Sequence, residues 1–172
     1  MFIELIATFI AGLAGAGVMM LILRLTGNRL PRWLTPVTAG LAMLAATITS
    51  EYGWFGRTVE TMPDGFEVVQ TVENKALYRP WTYVKPFTER FVALDTNSLQ
   101  TNTALPDQRL IDAYFYGRWA PLNRIHVLGD CVENRRAAIV DTVGFTDSGV
   151  IEGASWVTVP ADDPLLTAMC EI

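Results

Sequence analysis

The chain has 172 residues, a net charge of −5, 51% hydrophobic residues and 18% charged ones. A soluble domain holds about 25% charged residues, so this chain is apolar for its size. A nucleic-acid partner is excluded, because gripping phosphates needs clustered Lys and Arg, and Arg135-Arg136 is the only basic doublet.

The charges are also unevenly spread. Residues 1–50 hold only Glu4, Arg24, Arg29 and Arg32, a net of +2, which leaves −7 for the rest. Residues 5–23 carry no charge and no polar stripe. As a helix they reach roughly 28 Å, the thickness of a bilayer's hydrocarbon core. The segment is expected to be retained rather than cleaved as a signal peptide. Glu4 precedes it, no Lys or Arg does, and Leu23-Arg24-Leu25 is a poor cleavage context.

Residues 34–50 form a second uncharged span, about 25 Å long as a helix. Arg24, Arg29 and Arg32 all lie between the spans, so the positive-inside rule puts that loop in the cytoplasm. Both termini then face the periplasm. Trp33 at one boundary and Tyr52, Trp54 and Phe55 at the other read as interfacial anchors of the lipid bilayer. Pro31 and Pro36 flank the start of the span, where proline is tolerated.

Small residues recur four apart at Ala7, Ala11 and Gly15, with Gly12 and Ala16 beside them, and at Thr38, Ala42, Ala46 and Ser50. Such rows let helix backbones approach, against each other or against another membrane protein. Ile6, Ile10, Leu13 and Leu41 are left for lipid or a partner. The cluster Gly12, Gly15, Gly17 is not a dinucleotide loop, since no strand precedes it and position 20 is Met. Met19 and Met20 are adjacent, about 100° apart on a helix, and do not make a copper site.

From Glu51 the apolar runs become short and β-branched. Strands are expected over 66–72, 90–94, 110–116, 125–131, 137–140 and 155–159. Turns are expected at Asp64-Gly65, at Asp147 to Gly149 and at Glu152-Gly153. Asp162-Asp163-Pro164 reads as the start of a closing helix over 165–169. The fold class is therefore a membrane α-helical hairpin, residues 1–50, plus a small β-rich (α+β) extramembrane domain, residues 51–172.

Residues 78–87 are the most unusual stretch of that domain. Tyr78, Arg79, Trp81, Tyr83 and Phe87 sit among two prolines, which bar a central strand. Aromatic and Arg residues are common anchors at interfaces, which makes this a candidate docking loop against a partner or the membrane surface. The competing reading is an irregular loop folded on its own core.

Signals for chemistry are sparse. His126 is the single histidine. Strand alternation puts it on one face with Asp130, and Cys131 on the other, so no metal site is expected. Ser98, Ser148 and Ser155 lack a nucleophile motif. The pair Asp130 and His126 is the one acid–base arrangement the pattern offers to an enzyme reading. Arg79, Glu89, Arg90 and Arg118 are candidates to line a ligand pocket. Cys131 and Cys170 are an even pair in a domain placed outside the cytoplasm, so a disulfide is expected.

Four stretches carry a resemblance: Glu51 to Phe55 after the second span, Arg79 to Tyr83, Tyr116 to Pro121, and Asp130-Cys131 followed by Arg135-Arg136-Ala137. Together they resemble an uncharacterised family of short alphaproteobacterial inner-membrane proteins with a periplasmic domain. The resemblance spans most of the chain and implies the inner membrane, with no activity and no site residues. The expected function is a non-catalytic accessory subunit or assembly factor of a larger inner-membrane complex, respiratory or otherwise energy-transducing. It would have no cofactor and an integral membrane protein as partner. The alternative is a membrane-tethered periplasmic ligand-binding or sensing domain.

Overall fold

A computed structural model describes residues 2–27, 29–77, 79–102, 105–139, 144–145, 151–152 and 154–172. The chain divides into two units, Met1–Arg57 and Thr58–Ile172.

The first unit is built on helix α1 (Phe2–Leu25) and most of helix α2 (Leu34–Glu60). In α1, Glu4 lies in the first turn and Arg24 in the last, the arrangement the helix dipole favours. The chain leaves α1 through Gly27, whose φ of 65° is open to glycine and costly for other residues. Only α1, over Ile3–Leu25, is long and apolar enough among the described residues to cross a membrane by length and composition. The two-span expectation is thus met by one helix. In α2, Thr35, Thr38, Thr47, Thr49 and Ser50 dilute the apolar run, and Glu51 follows directly. That helix also runs ten residues past the boundary expected at Ser50. Propagation adds one hydrogen bond per residue fixed, and no proline interrupts it before Pro63.

The two helices approach closely at two glycines. A Cβ on Gly12 would lie 2.8 Å from Met43 Cγ, and one on Gly15 would lie 2.7 Å from Ala42 Cβ and 3.1 Å from the Thr38 carbonyl oxygen. At the other end of α1, the Ser50 hydroxyl donates to Glu4 Oε1 at 2.9 Å. Ala11, Gly15, Ala16, Thr38, Ala42, Ala46 and Ser50 are half-buried and Gly12 is buried, whereas Ala7 faces outward. Ile6, Ile10, Leu13 and Leu41 are exposed.

The second unit is a curled antiparallel sheet with one helix on it. Its strands are β1 (Phe66–Asn74), β2 (Phe87–Asn102), β3 (Leu105–Gly117), β4 (Asn123–Asp130), β5 (Arg135–Ile139), β6 (Gly144–Phe145), β7 (Ile151–Glu152) and β8 (Val157–Thr158). The main sheet runs β1-β2-β3-β4-β5-β8, and β6 pairs with β7. Residues Val140, Asp147, Ser148, Gly149 and Gly153 of the sequence expectations lie outside the described residues.

Strand β2 is far longer than the expected 90–94. Ser98 is the reason: its hydroxyl donates to the Asp95 carbonyl at 2.7 Å and accepts from the Asp112 backbone N–H at 2.9 Å. Those bonds hold a register slip between Asp95 and Gln100 within the strand.

One sheet face carries the core: Val92, Leu94, Ile111, Ala113 and Val127, at alternating positions, against Leu165 and Met169 of helix α3 (Pro164–Glu171). Asp163 caps α3 by accepting from Leu166 N–H at 3.0 Å, as the sequence implies. Arg109 Nη1 donates to the Met169 carbonyl at 2.9 Å, and Cys131 and Cys170 form a disulfide with their Cα atoms 5.9 Å apart. Gly129 is the contact point beneath the helix, since an added Cβ would sit 2.9 Å from Leu166 Cδ1 and 3.1 Å from Met169 Cε. Gly129→Ala is expected to lower stability by about 1–2 kcal/mol through overpacking, read as a shift in the urea midpoint.

Candidate functional site

Antiparallel pairing brings two connections to the same end of the sheet. Asn74 pairs with Phe87, Arg90 with Gly117, and Phe115 with Asn123. The β1–β2 connection and the β3–β4 turn therefore sit side by side, at the end opposite the start of β1.

The β1–β2 connection contains a single 3-10 turn, Pro80–Tyr83, with Pro80 at its start, where a missing N–H costs nothing. Thr82 holds it together from the inside. It is fully buried, its Oγ1 donates to the Arg79 carbonyl at 2.7 Å, and it accepts from the Ala76 N–H at 3.0 Å. Arg79 lies over the Phe87 ring, 5.6 Å from its centroid. Of the candidate docking residues, Phe87 is withdrawn into the core as the first residue of β2, Arg79 and Trp81 are half-buried, and Tyr83 is exposed. Tyr78 lies outside the described residues. Among the helix anchors, Trp33 is exposed, Tyr52 and Phe55 are half-buried and Trp54 is buried.

The β3–β4 turn brings Arg118 over the Trp119 ring, 4.9 Å from its centroid, and the Arg118 N–H donates to the Glu89 carbonyl at 3.0 Å. Glu89, Arg90 and Arg118 line one cleft of about 150 Å³ with Gly117, Trp119 and Ala120. Arg79, the fourth residue expected there, is not part of that lining. Asn74 Nδ2 donates to Glu89 Oε2 at 2.8 Å, which fixes the carboxylate at the base of the loops.

The acid–base pair is redistributed. His126 stands directly opposite Asp112 across the β3–β4 ladder, and its Nδ1 contacts Asp112 Oδ1. Asp130 instead bonds Arg135. The reason is geometric: cross-strand neighbours are about 5 Å apart, while positions four apart on a strand are separated by about 13 Å. Ser98 spends its hydroxyl on the Asp95 carbonyl and the Asp112 backbone N–H. Arg124 is raised above its usual value by its hydrogen bond to Tyr114 and by the Asp112 charge. Tyr116, stacked on Phe91 at 4.7 Å, is raised by burial and by the neighbouring Tyr114.

Among the described residues no three His, Cys, Asp or Glu side chains are grouped to hold a metal. A groove of about 610 Å³ runs between β1 and α3, lined by Glu67, Val68 and Val69 on one side and by Asp162, Thr167 and Glu171 on the other. Neither that groove nor Asp112 was marked by sequence pattern. Finding Asp112 needs the cross-strand register, and finding the groove needs the packing of α3 beside β1. Comparisons with protein families, with curated proteins and with solved structures find no match to this chain.

Proposed function

We propose that this chain is a non-catalytic accessory subunit or assembly factor of a larger bacterial inner-membrane complex, anchored by α1 and α2 as a transmembrane hairpin. Several features support membrane residence. Exposed Leu, Ile, Phe and Val side chains cover α1. The hydroxyls of Thr8, Thr38, Thr47 and Thr49 each donate to the carbonyl four residues earlier, at 2.8 to 3.0 Å, so no water is needed to satisfy them. The disulfide favours the periplasm for the sheet domain. The three loop arginines favour the cytoplasm for the connection.

The observation that carries a protein partner is what the hairpin leaves over. Gly12 and Gly15 are consumed by α1–α2 packing, but a Cβ on Gly17 or on Gly40 would meet open space. Small residues on an outward helix face let another helix approach closely. In mild detergent the tagged chain is expected to migrate within a larger, stoichiometric membrane complex on native electrophoresis. Gly17→Leu with Gly40→Leu is expected to release most of it to the free size while leaving the hairpin folded. Wild-type protein that migrates alone would refute the assignment. The tethered ligand-binding reading rests on the Glu89, Arg90 and Arg118 cleft. It ranks second, because that cleft holds about 150 Å³, against about 300–1,000 Å³ for small-molecule pockets; the groove between β1 and α3 is large enough, but Glu89, Arg90 and Arg118 do not line it.

A further inference from the structure

The sheet end described above gathers apolar and cationic side chains in a domain that is otherwise acidic. Residues 75–86 hold Lys75, Arg79 and Lys85 and no acid; residues 117–124 hold Arg118 and Arg124 and no acid. The same two connections expose Leu77 at 87%, Val84 at 90%, Tyr83 and Trp119 at 54% and Leu122 at 53%. Single exposed aliphatic residues are ordinary on a protein surface. Five large apolar residues on adjoining loops that hold cations and no acid of their own are not.

We infer that this end of the sheet is a docking surface for an anionic lipid bilayer. Each residue type has a place in that interaction. Leu77 and Val84, the most exposed, would enter the acyl boundary. Tyr83 and Trp119 would lie at headgroup depth, where amphipathic rings are favoured. Lys75 and Lys85, both exposed, would face lipid phosphates, drawn by the negative surface potential. Charge complementarity selects the occupant. A second copy of the chain would meet the surface with an acidic domain only by abandoning its own apolar tip, and a neutral bilayer would offer no counter-charge to the exposed Lys75 and Lys85. The sheet supplies rigidity, since Thr82 fixes one loop from within and the Arg118 N–H to Glu89 carbonyl bond fixes the other. This surface is independent of whether α1 and α2 have a protein partner.

The test uses the full chain held in zwitterionic nanodiscs, with an environment-sensitive dye on Val84→Cys. The disulfide leaves that cysteine as the single reactive thiol. Vesicles of phosphatidylcholine containing roughly one part in three phosphatidylglycerol are then added, or vesicles of phosphatidylcholine alone. The anionic vesicles are expected to co-float the nanodiscs and shift the dye to the blue, and the neutral ones to do neither. Lys75→Gln with Lys85→Gln is expected to weaken vesicle partition about thirtyfold, and the effect should fade with added salt. Leu77→Ser is expected to abolish the dye shift while leaving the sheet folded. Equal binding to both vesicles would overturn the inference. So would binding to neither.

Discussion

Opening the Cys131–Cys170 bond, by reductant or by Cys131→Ser with Cys170→Ser, is expected to cost the sheet domain about 3–4 kcal/mol. The bond closes a sequence separation of 39 residues, and its loss restores that loop's freedom to the unfolded chain. It also joins the end of β4 to α3, which is only eight residues long. A helix of that length does not persist alone in water, so α3 depends on what it packs against. Leu165, Leu166 and Met169 supply that packing, with Arg109 bonded to the Met169 carbonyl. Once the tether is cut, α3 should fray first, exposing the core face at Val92, Leu94 and Val127. Urea titrations with and without reductant measure the cost. Amide exchange over residues 164–171 should rise before the strands open. Coincident unfolding curves would show that packing alone holds α3. The same dependence bears on compartment: a domain that loses this much stability when reduced suits an oxidising space.

What was legible in the sequence, and what was not, divides along a physical line. Local signals carried far. The charge-free run of residues 5–23 gave α1. Asp163 and Pro164 marked the cap of α3, and the cysteine pair its tether. Strand positions followed from β-branched runs and turn residues. Most of what differs needs partners distant in sequence. The strand expected over 90–94 continues to Asn102 because the Ser98 hydroxyl meets the Asp112 backbone N–H. His126 looked paired with Asp130 on its own strand until register set Asp112 opposite it. Phe87 looked like a docking anchor until pairing with Asn74 drew it into β2. The end of α2 was missed for another reason: charge at Glu51 ends an apolar span but does not end a helix. The tip of the sheet had a sequence signal that pattern reading of aromatics alone overlooked, namely the absence of any acid over residues 75–86 and 117–124.

Asp130→Ala is expected to lower stability by about 2–3 kcal/mol, and the pH dependence of that loss identifies its source. Asp130 is 5% exposed at the end of β4. Its Oδ1 accepts from the backbone N–H groups of Val132 and Glu133 at 3.2 and 3.1 Å, and its Oδ2 from Arg135 Nε and Nη2 at 3.3 and 3.1 Å. One carboxylate thus organises the whole β4–β5 turn. That turn contains Asn134 in the left-handed region, at φ 49°, and starts beside Cys131. Arg135 extends the arrangement by lying over Trp156, 4.5 Å from its ring centroid, ahead of β8. Burial alone would raise the Asp130 carboxyl. The Glu133 N–H, Arg135 and Val132 N–H bonds, with the Arg135 charge, outweigh it and hold the group below its ordinary value of 3.8. A carboxyl that is depressed on folding contributes stability present above its unfolded value and lost as pH falls through its folded one. The contribution should therefore be complete at pH 7 and decline from about pH 4 downward. Asp130→Asn, which keeps the shape and removes the charge, separates the two effects. The gap between wild type and this variant in urea midpoint should be widest at neutral pH and shrink in acid. A gap that is constant with pH would assign the role of Asp130 to shape and neutral hydrogen bonding, and Arg135 would then be held to the sheet chiefly by Trp156.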